Sequence, residues 1–95
     1  MNADRTPAPD VSIVVPIYNE VDNLPELVRR IGAAMHGQPF SFELLAVDDG
    51  STDGSRARLR ELAAATPWLR PVFLARNYGQ SSALQAGFDR VRGRY

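Results

Sequence analysis

Three short, mostly apolar runs alternate along the chain with longer segments in which apolar residues recur at helical spacing. The runs cover residues 11–15, 42–47 and 72–75, and their β-branched and large apolar side chains are typical of strands covered on both faces. Pro16 follows the first run. We expect it to end strand pairing there, because proline has no amide hydrogen to donate.

The segments after these runs carry the periodicity of amphipathic helices. In the first, an apolar stripe recurs between Leu24 and Met35. The second begins where Thr52 or Asp53 can cap a helix. Its outward face carries three arginines that we expect to meet water: Arg56, Arg58 and Arg60.

The third helix is predicted to follow residues 76–79 and to stop at Gly93. We expect its inward side to carry four residues at helical spacing: Leu84, Gly87, Phe88 and Val91.

The order of these elements is β-α-β-α-β-α, which predicts an α/β fold with a parallel three-stranded sheet and right-handed crossovers. A chain of 95 residues accommodates one domain. Residues 1–10 are polar and contain proline, so we expect a disordered leader there and the folded domain in residues 11–95.

Composition excludes several classes of function. The formal net charge is zero, which argues against nucleic acid as a partner. All eleven cationic side chains are arginine, so lysine chemistry such as a Schiff base is excluded. Cysteine is absent, and so are disulfides and thiolate sites. No apolar run is long enough to span a membrane.

The loop after the first strand could bind a nucleotide base. A base needs a flat apolar surface, which Pro16 and Tyr18 can supply, and directed polar contacts, which Glu20 or Asn19 can supply. The alternative is an ordinary loop whose carboxylate lies at a helix entry, where the helix dipole favours it.

The loop after the second strand places Asp48 and Asp49 side by side, just beyond an apolar run. A carboxylate there could accept the ring N–H and amino protons of a base. The alternative is a turn that only shapes the loop and caps the next helix. A calcium loop of the EF-hand type is disfavoured, because its twelfth position is Arg60 where a glutamate is needed.

The loop after the third strand reads Arg76-Asn77-Tyr78-Gly79-Gln80 and leads into a helix. A helix N-terminus favours anions such as a diphosphate, and Arg76 could add a planar charged donor. The alternative is a turn with a solvated arginine. No glycine-rich dinucleotide fingerprint and no phosphate-binding loop of the Walker type is present.

Together the three loops resemble the front of a family 2 glycosyltransferase, whose GT-A fold binds nucleotide sugars. The matching segments are VVPIYNE, VDDGSTD and RNYGQSSALQAG, at residues 14–20, 47–53 and 76–87. The third is similar to the branch of dolichol-phosphate mannosyltransferases and bacterial polyprenyl-phosphate glycosyltransferases. The resemblance covers residues 11–95 and implies the N-terminal half of a GT-A fold, with strand order 3-2-1.

The resemblance implies a role for each matching residue in binding a nucleotide sugar. The nucleoside pocket would be lined by Pro16, Tyr18 and Glu20. Asp48 would face the base, and Asp49 would hold the loop or the sugar nucleotide. The border of the nucleotide and diphosphate region would be formed by Arg76, Asn77, Gly79 and Gln80.

The resemblance also implies an enzyme that transfers a hexose from a nucleoside-diphosphate sugar to polyprenyl phosphate, in cell-envelope glycan synthesis. We expect it at the cytoplasmic face of the membrane, attached only through parts beyond these residues. Relatives hold Mg²⁺ or Mn²⁺ on an Asp-x-Asp motif. That motif does not occur here, so we expect these 95 residues alone to be inactive. The alternative is a non-catalytic nucleotide-binding remnant or truncated product.

Overall fold

A computed structural model describes residues 8–95, which form one three-stranded sheet and three helices. In chain order the elements are β1 Val11–Ile17, α1 Leu24–His36, β2 Phe42–Asp48, α2 Ser55–Ala65, β3 Leu69–Phe73 and α3 Gln80–Phe88. All strands are parallel in the order β1-β2-β3, so the predicted fold class and strand order are confirmed. The leader prediction falls mostly on residues 1–7, which lie outside the described part of the chain.

The helices lie on both faces of the sheet. Leu44 and Ala46 of β2 belong to a core cluster with residues of α1 and α2. Val47 of β2 and Val14 of β1 instead lie against Gly87 of α3, on the other face. Because successive strand residues point to opposite faces, even-numbered β2 residues face α1 and α2, and odd-numbered ones face α3. This alternation decides toward which face of the sheet each polar side chain at the end of a strand points.

β1 is longer than predicted, and Pro16 lies inside it, paired with Val47. The expectation that Pro16 ends the pairing is therefore wrong. In a parallel strand, alternate residues direct their backbone groups to opposite neighbours. Ile17 O accepts from Asp49 N at 2.8 Å, whereas Ser12 N donates to Tyr95 O at 2.7 Å on the other side. Pro16 has the parity of Ser12, so its missing donor falls on the outer edge, where proline is tolerated.

β3 occupies residues Leu69–Phe73, earlier than the predicted 72–75. Pro71 therefore lies inside a strand. Trp68 O and Leu74 N bond to β2, so the even-numbered residues face β2 and the nitrogen of Pro71 faces the open edge. The amide hydrogen that Pro71 lacks would not have bonded to β2, so proline is compatible with a strand at this position.

α3 ends at Phe88, not at Gly93, and of its predicted inward residues Gly87 is buried and Leu84 half-buried, whereas Phe88 and Val91 are exposed. Ala83 and Gly87 are buried, whereas Phe88 is 54% exposed. A Cβ at Gly87 would lie 2.3 Å from Val14 Cγ1, so the helix approaches the sheet on its small residues.

α2 starts at Ser55, with Gly54 as N-cap residue at φ +97°, so the predicted caps Thr52 and Asp53 lie too early. Asp53 Oδ1 nonetheless accepts hydrogen bonds from the Ser55 amide at 3.0 Å and its hydroxyl at 2.6 Å. The hydrogen bond from the Ser55 side chain is the largest cause that holds the pKa of Asp53 below its usual value.

A buried charge holds the end of the sheet far from the loops. Glu43, only 1% exposed, accepts from Ser12 Oγ at 2.6 Å, Arg70 Nη1 at 2.7 Å and Arg92 N at 2.8 Å. Burial would raise the pKa of Glu43, but these hydrogen bonds outweigh it and lower the pKa to about 2. The bond to Arg92 holds the segment after α3 against the sheet.

No helix within residues 8–95 has the length and apolar character needed to cross a bilayer.

Candidate functional site

The loops after β1, β2 and β3 meet at one edge of the sheet, because parallel strands all end there. They enclose an open cavity of about 280 Å³. Its lining residues are Pro16, Ile17, Tyr18, Glu20, Asp49, Asn77, Gly79 and Gln80. Of the residues predicted from sequence to form the site, all but Asp48 and Arg76 line this cavity.

The first and second loops are held together by reciprocal hydrogen bonds at Asn19. Its amide donates to Ser51 Oγ at 2.9 Å, and its Oδ1 accepts from Thr52 N at 2.8 Å. Asn19 has φ +52°, a left-handed conformation that asparagine tolerates better than most residues. Its side chain is therefore used to join two loops, and Glu20 is the polar residue of the first loop that lines the cavity.

The second and third loops are joined by Asp49, which is 3% exposed. Its Oδ1 accepts from Tyr78 N at 2.8 Å, and its Oδ2 accepts from Gly79 N at 2.9 Å and Asn77 Nδ2 at 3.2 Å. Gly50 allows this approach, because a Cβ there would lie 2.3 Å from the Arg76 carbonyl carbon. Asp49 thus fixes the wall of the cavity between β2 and α3.

Asp48 has entirely different surroundings from its neighbour. As an even-numbered residue of β2 it points to the α2 side of the sheet, away from the cavity, and it is 0% exposed. Its Oδ2 accepts from Ser51 N at 3.1 Å and Arg56 Nη1 at 3.3 Å, while Oδ1 is buried without a partner. The structure does not place Asp48 on the cavity, and its contact with a base stays a prediction.

Arg56 is a residue whose place sequence reasoning missed, since it was expected to face water. Its side chain is 32% exposed, and Nη1 donates to Leu74 O at 2.6 Å as well as to Asp48. Its guanidinium carbon lies 4.9 Å from the centre of the Phe73 ring. The available signal was its place in the first turn of α2, which starts at the same sheet edge as the acids.

Two tyrosines stand exposed beside the cavity, Tyr18 at 46% and Tyr78 at 49%. Tyr18 is one of the residues that line the cavity. Arg76, predicted to border the site, is exposed and instead stacks on Tyr78, with 4.9 Å from its guanidinium carbon to the ring centre. Arg76 is therefore near the site but outside its lining.

The N-terminus of α3 opens into the cavity at Gly79 and Gln80. Asp49 already occupies the Tyr78 and Gly79 amides, so those donors are not free for a ligand. The first hydrogen bond of the helix runs from Ala83 N to Gly79 O at 3.0 Å, and no side chain caps the helix. The amides of residues 80–82 therefore remain as donors without helical partners.

The cavity can stack a planar group on Tyr18 and donate backbone hydrogen bonds to an anion at α3. It does not fit a metal ion. Both oxygens of Asp49 accept hydrogen bonds from the third loop, and no cluster of three His, Cys, Asp or Glu residues suited to a metal occurs within residues 8–95.

Comparisons with known proteins agree on one family. The family model described as Glycosyl transferase family 2 matches residues 12–95. Over 88 residues, 92% of this chain, the sequence is 49% identical to the undecaprenyl-phosphate 4-deoxy-4-formamido-L-arabinose transferase of Klebsiella pneumoniae, and covers 27% of that protein. The protein of the same name from Pseudomonas fluorescens strain SBW25 is 51% identical over 85 residues, with 87% of this chain and 25% of the relative covered.

The fold of the chain also matches solved structures. The chain matches the mannosyltransferase PcManGT of Pyrobaculum calidifontis, in complex with GDP-Man and Mn²⁺, with a TM-score of 0.74 and 28% identity over 90% of this chain. It matches S. aureus TarS with a TM-score of 0.71 and 26% identity over 88% of this chain. In each case the chain covers 25% of the matched structure, so it spans about a quarter of the relatives it resembles.

Proposed function

Since the chain belongs to glycosyl transferase family 2 and has the GT-A fold, we propose that its cavity binds the nucleoside diphosphate part of a nucleotide sugar. The whole protein then transfers the sugar to polyprenyl phosphate. The observation that carries this proposal is the convergence of three loops on one cavity that joins an exposed aromatic ring to a free helix N-terminus. The family match favours an enzyme over the alternative of a non-catalytic remnant.

The nucleoside binds at the β1 side of the cavity in this proposal. The ring of Tyr18 stacks on the base, with Pro16 and Ile17 forming the apolar floor beside it. Glu20 Oε2 accepts from Asn23 Nδ2 at 2.7 Å, which directs the carboxylate while its other oxygen remains for the nucleoside. Glu20 therefore supplies the directed polar contact of the first loop.

The diphosphate binds at the α3 side. The unpartnered amides of residues 80–82 lie at the helix N-terminus, where they can donate to the phosphate oxygens and where the helix dipole favours negative charge. Gln80 lines the cavity and adds a neutral amide donor. Asn77 and Gly79 keep the loop in place through Asp49 rather than by binding phosphate themselves.

The acceptor is proposed from the names of the relatives. Proteins about half identical to this chain are named as undecaprenyl-phosphate transferases. We propose that the whole enzyme meets its lipid-linked acceptor at the cytoplasmic face of the membrane, and that attachment involves residues other than those described.

A divalent ion is part of the proposal only for the whole enzyme. PcManGT is known with Mn²⁺ and GDP-Man. The described residues of this chain do not fit such an ion, so Mg²⁺ or Mn²⁺ would be held by other residues of the full-length enzyme. When bound, it would neutralise charge on the diphosphate leaving group.

Isothermal titration of this chain with UDP, GDP and their sugars tests the proposal. We expect one base series to bind and Tyr18→Ala to weaken it about tenfold, because stacking on an aromatic ring contributes about 1–3 kcal/mol per base. Tyr95→Ala is the matched control, since Tyr95 is 81% exposed and is not among the cavity residues. Failure of all these ligands to bind would overturn the proposal.

A further inference from the structure

Two consecutive carboxylates are buried at the end of β2, directly beside the proposed anion site. Asp48 is 0% exposed and Asp49 is 3% exposed. Burying a carboxylate is costly unless charge or hydrogen bonds compensate it. Two uncompensated negative charges at this edge would also repel a diphosphate.

The two acids are compensated in different ways. Asp49 accepts hydrogen bonds only from neutral groups, the amides of Tyr78 and Gly79 and the side chain of Asn77. These dipoles satisfy its oxygens but leave its full negative charge. Asp48 accepts one neutral hydrogen bond from Ser51 and one from a cation. Within residues 8–95, Asp48 forms an ion pair with Arg56, and Asp49 forms none.

Arg56 is held in place by three contacts. Nη1 bonds both Asp48 Oδ2 and Leu74 O, and the guanidinium lies over the ring of Phe73. Asp48 is the last residue of β2 and Phe73 the last of β3, and Leu74 follows β3 directly, so these partners lie where the second and third loops start. Arg56 itself lies on the α2 side of the sheet and is not among the residues that line the cavity.

We propose that Arg56 is a positioning residue that sets the charge of the site. From the α2 side of the sheet it compensates the negative charge of Asp48, and it fixes the ends of two strands. An anionic ligand can then approach Asp49 and α3. The inference rests on the proposed function, because it concerns the diphosphate of the same ligand. It predicts that the contribution of Arg56 to affinity grows with the number of phosphates.

The test compares ligand charge at constant base. Wild type, Arg56→Met and Arg56→Lys are titrated with uridine, UMP and UDP, and with guanosine, GMP and GDP. Arg60→Met is the matched control, because Arg60 lies 4.6 Å from the same Phe73 ring and forms no ion pair within the described residues. Thermal melting of each variant establishes that it is folded.

We expect Arg56→Met to weaken diphosphate binding about tenfold and nucleoside binding by less than about twofold, with the monophosphate between them. Arg56→Lys restores the charge and should return diphosphate binding to within about threefold of wild type. Arg60→Met should bind like wild type.

Equal weakening of nucleoside and diphosphate by Arg56→Met would assign Arg56 a purely structural role and overturn the inference. Unchanged binding of UDP and GDP in a folded Arg56→Met protein would overturn it as well, while leaving the proposed function intact. Absence of binding by wild type to every ligand would instead overturn the proposed function.

Discussion

The join between the first two loops depends on Asn19 in two separable ways. Its side chain accepts a hydrogen bond from Thr52 N at 2.8 Å, and its backbone has φ +52°. Asn19→Gly removes the acceptor but keeps a residue that adopts positive φ freely. Asn19→Ala removes the acceptor and also places a Cβ in the left-handed region.

The two costs can be estimated from the structure. Loss of the hydrogen bond contributes about 1 kcal/mol, because both residues are exposed and water can replace the lost acceptor. A left-handed alanine costs about 1 kcal/mol more. We therefore expect Asn19→Gly to lose about 1 kcal/mol and Asn19→Ala about 2 kcal/mol of the free energy of unfolding.

Urea denaturation and thermal melting measure these differences. For a domain of this size, 1 kcal/mol corresponds to about 4–8 °C in Tm, so the two variants should be resolved from each other. Asn19→Asp is the control, since it keeps both the acceptor and the tolerance of positive φ, and should melt close to wild type.

The order of stabilities is the decisive result. Alanine normally exceeds glycine in stability, because glycine loses more backbone entropy on folding. An Asn19→Ala protein as stable as Asn19→Gly would refute the assignment of backbone strain. An Asn19→Gly protein as stable as wild type would refute the contribution of the hydrogen bond to Thr52.

Three further predictions concern the buried Glu43, the contact of Gly87 with Val14, and Asp49, which joins the second and third loops and is called the loop hub here. Because the folded pKa of Glu43 is about 2, below its unfolded value, its stabilisation is full above about pH 4.5 and is lost as pH falls toward 2. Urea melts across this range should lose about 3 kcal/mol, and Glu43→Gln should flatten that dependence; an unchanged profile contradicts the assignment. Gly87→Ala should lower the free energy of unfolding by about 1–3 kcal/mol in urea melts, because its Cβ would meet Val14; wild-type stability would contradict the close packing of α3. Asp49→Asn should place an amide N–H₂ against an N–H donor of the third loop, lower the free energy of unfolding by about 2 kcal/mol and speed amide hydrogen exchange at Gly79. The control is Asp22→Asn at an exposed position, and equal exchange at Gly79 in both variants would contradict the role of Asp49 as loop hub.

Sequence reasoning located the cavity well, for a simple physical reason. The carboxyl ends of parallel strands lie at one sheet edge, so residues that follow them come together whatever the detailed packing. Tyr18, Asp49 and Gly79 were found in this way and line one cavity. The same reasoning could not tell Asp48 from Asp49, because the two are adjacent and chemically identical.

The features that sequence reasoning did not reveal depend on how the sheet and helices are arranged rather than on neighbouring residues. Pro16 and Pro71 are tolerated because their nitrogens face open edges of the sheet. Glu43 is buried in a strand because arginines from β3 and from the segment after α3 meet it. Arg56 was expected in water because helical spacing alone does not show that its side chain meets Asp48, eight residues earlier.

Periodicity and loop chemistry in the sequence determined the element order, the parallel sheet and the edge at which the three loops meet, because these follow from local preferences and from strand direction. The tertiary structure decided which polar atoms meet. Alternation along β2 sends Asp48 to Arg56 on one face and Asp49 to the third loop on the other. That division, which turns two adjacent acids into a charge partner and a loop hub, exists only once the helices have packed on opposite sides of the sheet.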